Sequence, residues 1–206
     1  MFFFDLETVP DFTVPEDIRP LPKLGVLKDP EKIKKKEAEY ANKGLIKDMS
    51  VDPTFNKIVC ASFLLHDGTM DTIVDDEVAI LKRFWELADH YPAVVGFNIF
   101  HFDLRTIRFR SLVHKVQPTC HISTRKYQND PVCDLAMILC AWDMRNLKKL
   151  DFYLRRLGIP AKIADGSMVY EWYNEKKGGG LDKIAEYNRE EVKSIKLLHE
   201  RLTNYY

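Results

Sequence analysis

MFFFDLETVPDF, residues 1–12, is the stretch that decides how the chain is interpreted, because it places two carboxylates inside an apolar run. In an extended strand, residues two apart point to the same face, so Asp5 and Glu7 project together. Their charges repel each other, and the pair is tolerated either around a cation or at a frayed strand end that opens to water. The stretch alone leaves both interpretations open.

The composition is that of a globular protein with balanced charge. Lys and Arg number 31, as do Asp and Glu, so net charge gives no argument for a nucleic-acid partner. Residues 104–126, however, contain basic side chains and no acid. This basic run predicts either contact with a polyanion or a solvated helix face. Its Lys and Arg residues are Arg105, Arg108, Arg110, Lys115, Arg125 and Lys126.

The cysteines and the apolar runs exclude several classes of protein. Cys60, Cys120, Cys133 and Cys140 contain no C-x-x-C pair, so neither a cysteine zinc site nor a disulfide framework is predicted. The first apolar run is interrupted at Asp5, which excludes the apolar core of a signal peptide. No later apolar run approaches the length of a membrane span. We therefore expect a soluble protein of the cytoplasm with no membrane partner.

Hydrophobic periodicity predicts strands early in the chain and helices late. A first strand is followed by a hairpin with its turn at Asp67-Gly68 and by a strand within 92–103. Helices are predicted over 29–49, 76–91, 104–115, 134–142, 147–159, 165–177 and 181–206. This order indicates one α/β domain around a single sheet.

Asp103 ends the apolar stretch VVGFNIFHFD, residues 94–103. A carboxylate between a strand and a helix is either part of a functional site or an N-cap. Both interpretations of Asp103 stay open at this point. Asp134, which precedes another predicted helix, is interpreted as an N-cap.

Glu191 lies in the apolar stripe of the C-terminal helix. Steps of three and four residues lead from Ile184 through Asn188 and Glu191 to Ile195. A buried carboxylate without compensation costs several kcal/mol, so Glu191 requires a cation or a proton. Tyr187 stands one turn earlier on the same side of the helix.

These carboxylates suit a hard cation when they are considered together. The set consists of Asp5, Glu7, Asp103 and Glu191. Oxygen ligands without Cys or His favour Mg²⁺ or Mn²⁺. Two such ions can activate water and stabilise the leaving oxygen when a phosphodiester bond is cleaved.

Three motifs resemble those of the DEDD 3′–5′ exonucleases. FFFDLETVP (2–10) is similar to the first motif, D-x-E, and NIFHFD (98–103) to the second, N-x₃-F-D. YNREEV (187–192) resembles the third motif of the tyrosine-bearing subclass, Y-x₃-D, with Glu191 where that family has Asp. Segments 52–63 and 157–173 also resemble stand-alone homologues of the exonuclease domain of family B DNA polymerases, so the likeness covers nearly the whole chain.

The resemblance implies a ribonuclease H-like mixed sheet flanked by helices, with residues 1–206 as a single 3′–5′ exonuclease domain. The implied reaction is hydrolysis at the 3′ end of single-stranded DNA with two Mg²⁺ or Mn²⁺ ions. RNA is an alternative substrate. Glu191 has one methylene more than the Asp of the family motif. Because of this difference, a catalytically weakened nucleic-acid-binding module is a further alternative. A polymerase or repair partner cannot be deduced from the sequence.

The resemblance also implies a function for each site residue. Asp5 would bridge both ions, and Glu7 would bind the ion on the nucleophile side and contact the terminal 3′-hydroxyl. Asp103 would hold the ion on the leaving-group side, and Glu191 would complete the nucleophile-side shell. Tyr187 would orient the attacking water.

Other residues in or near the motifs would contact substrate. Leu6 and Asn98 would line the site of the terminal nucleotide, and Arg105 would contact the strand. Phe102 would either stack on a base or pack in the core. Lys162 would be a phosphate contact or an ordinary surface lysine.

Overall fold

The computed structural model describes residues 1–160, 166–175 and 178–205, which form a mixed sheet flanked by helices. The strands are β1 (Phe2–Pro10), β2 (Asn56–Leu65), β3 (Met70–Val74), β4 (Val94–Gly96) and β5 (Val132–Asp134). The α-helices are α1 (Pro30–Glu39), α2 (Leu45–Val51), α3 (Glu77–His90), α4 (Asp103–His114), α5 (Leu135–Leu139), α6 (Leu150–Arg156), α7 (Val169–Asn174) and α8 (Gly180–Thr203). Lys162 lies outside the described residues.

The sheet has the strand order β3-β2-β1-β4-β5. β2 pairs antiparallel with both β1 and β3, whereas β1–β4 and β4–β5 pair in parallel. The carboxyl ends of β1, β4 and β5 therefore meet at one edge of the sheet. Ligands of α/β sheets bind outside such an edge, and the chain places its acidic residues there.

Alternation along β1 sends its side chains to two different cores. Phe2, Phe4 and Leu6 are buried against residues of α3 and α4. Phe3 is buried with residues of α8 on the other face. Asp5 and Glu7 continue the face of Phe3, so the fold turns both carboxylates towards α8.

α8 packs across the sheet through its apolar stripe, as predicted. Ile184, Val192 and Ile195 are fully buried. The helix begins at Gly180, where a Cβ atom would lie 1.9 Å from the backbone oxygen of Trp172. Glycine at this position lets the α7 backbone approach the start of α8.

The predicted hairpin turn is confirmed, and two helices begin at Asp caps. The hairpin joins β2 and β3 around Asp67-Gly68. Asp29 accepts a hydrogen bond from the backbone of Glu31 (3.0 Å), and Asp76 accepts one from Ala79 (2.9 Å), so both cap their helices.

Several predicted element bounds are wrong. The strand predicted within 92–103 ends at Gly96, and β5 was not predicted, because strands of three residues show no useful periodicity. A π-helical turn, Tyr40–Gly44, interrupts the helix predicted over 29–49. Among the described residues, every helix is too short or too polar to cross a membrane.

Candidate active site

Asp5 and Glu7 lie on β1, on the face that α8 covers. The strand continues through both residues to Pro10, so the interpretation of a frayed strand end is wrong. Glu7 is 8% exposed and lies opposite Cys60 of β2, while Asp5 is half-buried. Two carboxylates are thus held inside an ordered strand, largely away from bulk water.

Glu191 approaches this pair from α8. One oxygen atom from each of Asp5, Glu7 and Glu191 lies within 4.8 Å of the others. Tyr187, one helical turn earlier, donates a hydrogen bond from its hydroxyl to Glu191. Glu191 therefore faces the sheet, as its position in the apolar stripe predicts.

Asp103, the first residue of α4, lies outside this set of three oxygens, but its charge contributes to the raised pKa of Asp5. It is 2% exposed, and the N-cap position of the helix is Phe102, so the interpretation of Asp103 as the cap is wrong. Its Oδ1 atom is buried without a hydrogen-bond partner among the described residues. A buried polar atom of this kind calls for a ligand such as an ion or water.

The pKa values of these carboxyls are raised, chiefly because burial penalises the charged form. Burial and the charges of Glu191, Asp103 and Glu7 raise the pKa of Asp5 well above its ordinary value. Burial followed by the charge of Glu191 does the same for the pKa of Glu7. Burial, with the charges of Asp134 and Glu191, raises the pKa of Asp103 to about 8. Carboxyls packed this closely must keep protons or surround a cation.

The donor set fits a hard divalent cation. The ligand atoms that converge are carboxylate oxygens, and one buried oxygen of Asp103 has no other partner in the described part of the chain. Mg²⁺ and Mn²⁺ prefer oxygen ligands of this kind. The residues that would hold such ions are Asp5, Glu7, Asp103 and Glu191.

Asp134, at the end of β5, orders the loop that leads to Asp103. It accepts hydrogen bonds from the backbone N–H groups of Asn98 (2.8 Å) and Phe100 (2.9 Å). It also accepts one from Ala136 (3.0 Å) in the first turn of α5, so the N-cap prediction is confirmed. The contacts to the loop were not predicted, because the loop is distant in sequence.

Asn188 is a buried site residue that the motifs do not indicate. It is fully buried, and its Nδ2 atom donates hydrogen bonds to Asp5 Oδ2 (2.8 Å) and Glu7 Oε1 (3.3 Å). The signal for it is its position beside Glu191 in the apolar stripe of α8. A polar side chain at such a position requires a buried partner.

The structure brings some of the predicted substrate residues to the site and leaves others away from it. Leu6 is 4% exposed in the core on the opposite face of β1, so its side chain does not reach the carboxylates. Asn98 lines the groove beside Glu191 and has a left-handed φ of 63°. Phe102 is half-buried just before α4, and Arg105 is exposed in its first turn.

An open groove of about 720 Å³ extends from Glu191 past α6. Tyr187 and Glu191 form part of its wall, and Lys148 and Lys149 add positive charge along it, while Arg155 pairs with Asp151 (2.7 Å), which also lines the groove. All three cationic residues are exposed. No sequence motif indicates these three residues, because their proximity to the carboxylates depends on the packing of α6.

Two residues of the basic run, Arg108 and Arg110, make contacts within the protein, whereas Arg105, Lys115, Arg125 and Lys126 are exposed. The Arg110 side chain is 5% exposed and pairs with Asp11 (2.8 Å) and Glu77 (2.7 Å). Arg108 donates a hydrogen bond to the backbone oxygen of Ile122 (2.5 Å). The prediction that Arg110 contacts a polyanion is therefore wrong.

Comparisons with known proteins agree with this architecture. The structure is similar to that of the family B DNA polymerase from the hyperthermophilic archaeon Pyrobaculum calidifontis, with a TM-score of 0.63 and 16% identity over 98% of this chain and 24% of the polymerase. The chain spans about a quarter of that polymerase's length, and the likeness confirms the predicted ribonuclease H-like α/β fold. No curated protein matches the chain. A family model described as "predicted 3′–5′ exonuclease related to the exonuclease domain of PolB" matches residues 53–205, and the chain belongs to that family.

Proposed function

We propose that the chain is a metal-dependent 3′–5′ exonuclease that hydrolyses single-stranded DNA, with residues 1–206 acting as one catalytic domain. The observation that supports this most directly is the convergence of oxygens from Asp5, Glu7 and Glu191 within 4.8 Å beside an open groove. Clustered carboxylates of this kind serve two-cation hydrolysis of phosphodiester bonds. Membership of the family supports the type of reaction and its direction.

The four carboxylates would hold two Mg²⁺ or Mn²⁺ ions, which supply the positive charge that lowers the pKa of water and stabilises charge on phosphate. The protein itself keeps the four carboxylates close together and shields them from bulk water. Their raised pKa values mean that cation binding displaces protons from the site. Cation affinity should therefore increase with pH.

Tyr187 is proposed to orient the attacking water beside Glu191. Burial and the charges of Glu191 and Glu7 raise the pKa of the Tyr187 hydroxyl. The phenol therefore keeps its proton at neutral pH and acts as a hydrogen-bond donor rather than as a general base. A positioning function fits its location at the wall of the groove.

The groove is the proposed path of the substrate strand. Its volume of about 720 Å³ lies in the range of sites for small organic ligands, which is enough for the terminal nucleotide of a strand. Lys148 and Lys149 would attract the phosphates. Asn98, at the end next to Glu191, would contact the terminal nucleotide.

We also propose a cytoplasmic location. Cys60, Cys120, Cys133 and Cys140 are free thiols, as expected for a reducing compartment. Cell fractionation with an antibody to the chain would test this location.

The function is tested by incubating the protein with 3′- and 5′-labelled DNA and RNA oligonucleotides in Mg²⁺, Mn²⁺ or EDTA. We expect stepwise shortening from the 3′ end of DNA, which EDTA prevents. Asp5→Ala and Asp103→Ala should abolish it without loss of folding. Glu190→Ala is the matched control, because Glu190 pairs with Lys193 (2.6 Å) near the protein surface. Full activity in either Asp variant would contradict the proposal.

Substitution of Glu191 tests whether the site is weakened. Glu191→Ala should lose most activity, whereas Glu191→Asp should keep or raise it because it restores the carboxylate length of the family motif. An inactive wild type that Glu191→Asp activates would instead favour the weakened binding module. Preferential cleavage of the RNA oligonucleotides would favour an exoribonuclease.

A further inference from the structure

Asn188 connects α8 with both carboxylates of β1. Its Nδ2 atom lies 2.8 Å from Asp5 Oδ2 and 3.3 Å from Glu7 Oε1. Its Oδ1 atom accepts a hydrogen bond from Cys60 Sγ (3.7 Å). Asn188 and Cys60 are both fully buried, so water does not compete for these contacts.

The chemistry of the groups determines how the amide is oriented. Around a cation both carboxylates are ionised and only accept hydrogen bonds, and the amide nitrogen carries two hydrogens, one for each carboxylate. The amide oxygen cannot face the carboxylates without repulsion, and the thiol of Cys60 supplies a weak donor for it. Cys60 lies opposite Glu7 in the β1–β2 pairing, so the sheet register places the thiol on this side.

We propose that Asn188 is a positioning residue that holds Asp5 and Glu7 in the orientation required to bind the cations, and that Cys60 orients the Asn188 amide. The inference rests on the proposed function, because it concerns the same carboxylates. The amide occupies one oxygen of each carboxylate and leaves the other oxygen available. It also removes rotamer freedom from Glu7 before a cation binds, and that freedom would otherwise be lost on binding.

A structural contribution alone would stabilise the contact between α8 and β1 without changing cation affinity. The discriminating measurement is therefore Mn²⁺ binding to the full chain by calorimetry or electron paramagnetic resonance. Asn188→Leu keeps a similar volume but removes both donors. Ser194→Ala is the control, since Ser194 is buried on the same helix and donates to the backbone of Glu190 rather than to the site.

We expect Asn188→Leu to weaken Mn²⁺ binding by about ten- to hundred-fold, as for other residues that orient metal ligands. With the labelled oligonucleotide, kcat should fall while KM stays close to that of the wild type. Ser194→Ala should bind Mn²⁺ like the wild type. A folded Asn188→Leu protein with Mn²⁺ affinity within twofold of the wild type would overturn the inference and leave the proposed function standing. A wild type that binds no Mn²⁺ and cleaves no oligonucleotide would instead refute the proposed function.

Cys60 provides a second test that does not depend on the folding of Asn188→Leu. Cys60→Ser keeps a donor for the Asn188 oxygen, whereas Cys60→Ala removes it and changes little volume. We expect several-fold weaker Mn²⁺ binding in Cys60→Ala and near-normal binding in Cys60→Ser. Equal affinities in the two variants would refute the orienting function of Cys60.

Discussion

Neutralising Asp103 should stabilise the metal-free protein. Asp103 is 2% exposed, and its Oδ1 atom has no hydrogen-bond partner among the described residues. Burial and the charges of Asp134 and Glu191 raise the pKa of Asp103 to about 8. Asp103→Asn keeps the shape of the side chain and removes the ionisable group, so the free energy that the folded chain spends on keeping Asp103 protonated is no longer lost.

The size of the effect follows from the pKa difference between the folded and unfolded states. Below about pH 4, Asp103 is protonated in both states and carries no penalty. As the pH rises towards about 8, the unfolded chain loses this proton and the folded chain keeps it, so the unfolding free energy falls by about 1.4 kcal/mol per pH unit. At pH 7 the penalty is on the order of 4 kcal/mol.

The asparagine amide offsets part of this gain, because a buried amide without partners costs about 1–3 kcal/mol. We therefore expect Asp103→Asn to raise the unfolding free energy by about 1–3 kcal/mol at pH 7–8. A change of this size corresponds to an increase in Tm of about 2–10 °C. Near pH 4 the gain should vanish or reverse.

The assay is urea unfolding in EDTA at pH 4.5 and pH 8, followed by circular dichroism. Asp134→Asn is the matched control. Asp134 accepts hydrogen bonds from Asn98 and Phe100, so its loss should destabilise the protein at both pH values. Added Mn²⁺ should stabilise the wild type more than Asp103→Asn, because the variant lacks a ligand.

An Asp103→Asn variant with no gain at pH 8 would refute this reasoning. The same conclusion would follow if its stability changed with pH as steeply as that of the wild type. Either result would show that Asp103 is not the strained carboxyl of the metal-free site.

Three further predictions concern other parts of the molecule. Arg110→Met should lower the unfolding free energy by about 3–5 kcal/mol in urea titrations, because it leaves the buried Asp11 carboxylate and the carboxylate of Glu77 without their guanidinium partner; a neutral effect would show that the ion pairs are dispensable. Replacing Lys148 and Lys149 together by Gln should weaken binding of single strands, measured by fluorescence anisotropy. The slope of log affinity against log salt concentration should decrease by about 1.4 in magnitude, and an unchanged slope would mean that the strand binds elsewhere. Gly166→Ala should lower kcat in the oligonucleotide assay, because the added Cβ would lie 3.1 Å from the Tyr187 hydroxyl and displace it. Normal turnover would argue against a positioning function for that hydroxyl.

Patterns of short range were predicted well from the sequence. The hairpin turn at Asp67-Gly68 and the helix cap at Asp134 depend on neighbouring residues, and both are confirmed. The apolar stripe of α8 also indicated that Glu191 faces the core. These features depend on backbone geometry and helical periodicity, which are properties of the local chain.

The short elements at the carboxyl edge of the sheet were harder to predict. β4 and β5 have three residues each, and they are strands because parallel pairing satisfies their backbone hydrogen bonds. The basic run shows the same dependence on distant residues. Arg110 is buried because Asp11 and Glu77 approach it from elements that are remote in sequence.

The sequence by itself determined which side chains supply the carboxylates, since the D-x-E spacing puts Asp5 and Glu7 on one face of a strand and helical periodicity puts Glu191 in a buried stripe. Only the tertiary structure decided that these groups meet, that Asn188 bridges two of them, and that Asp134 orders the loop before Asp103. The physical reason is that strand pairing and helix packing join residues far apart along the chain. The distances between such residues follow from how the whole core packs and not from any local pattern.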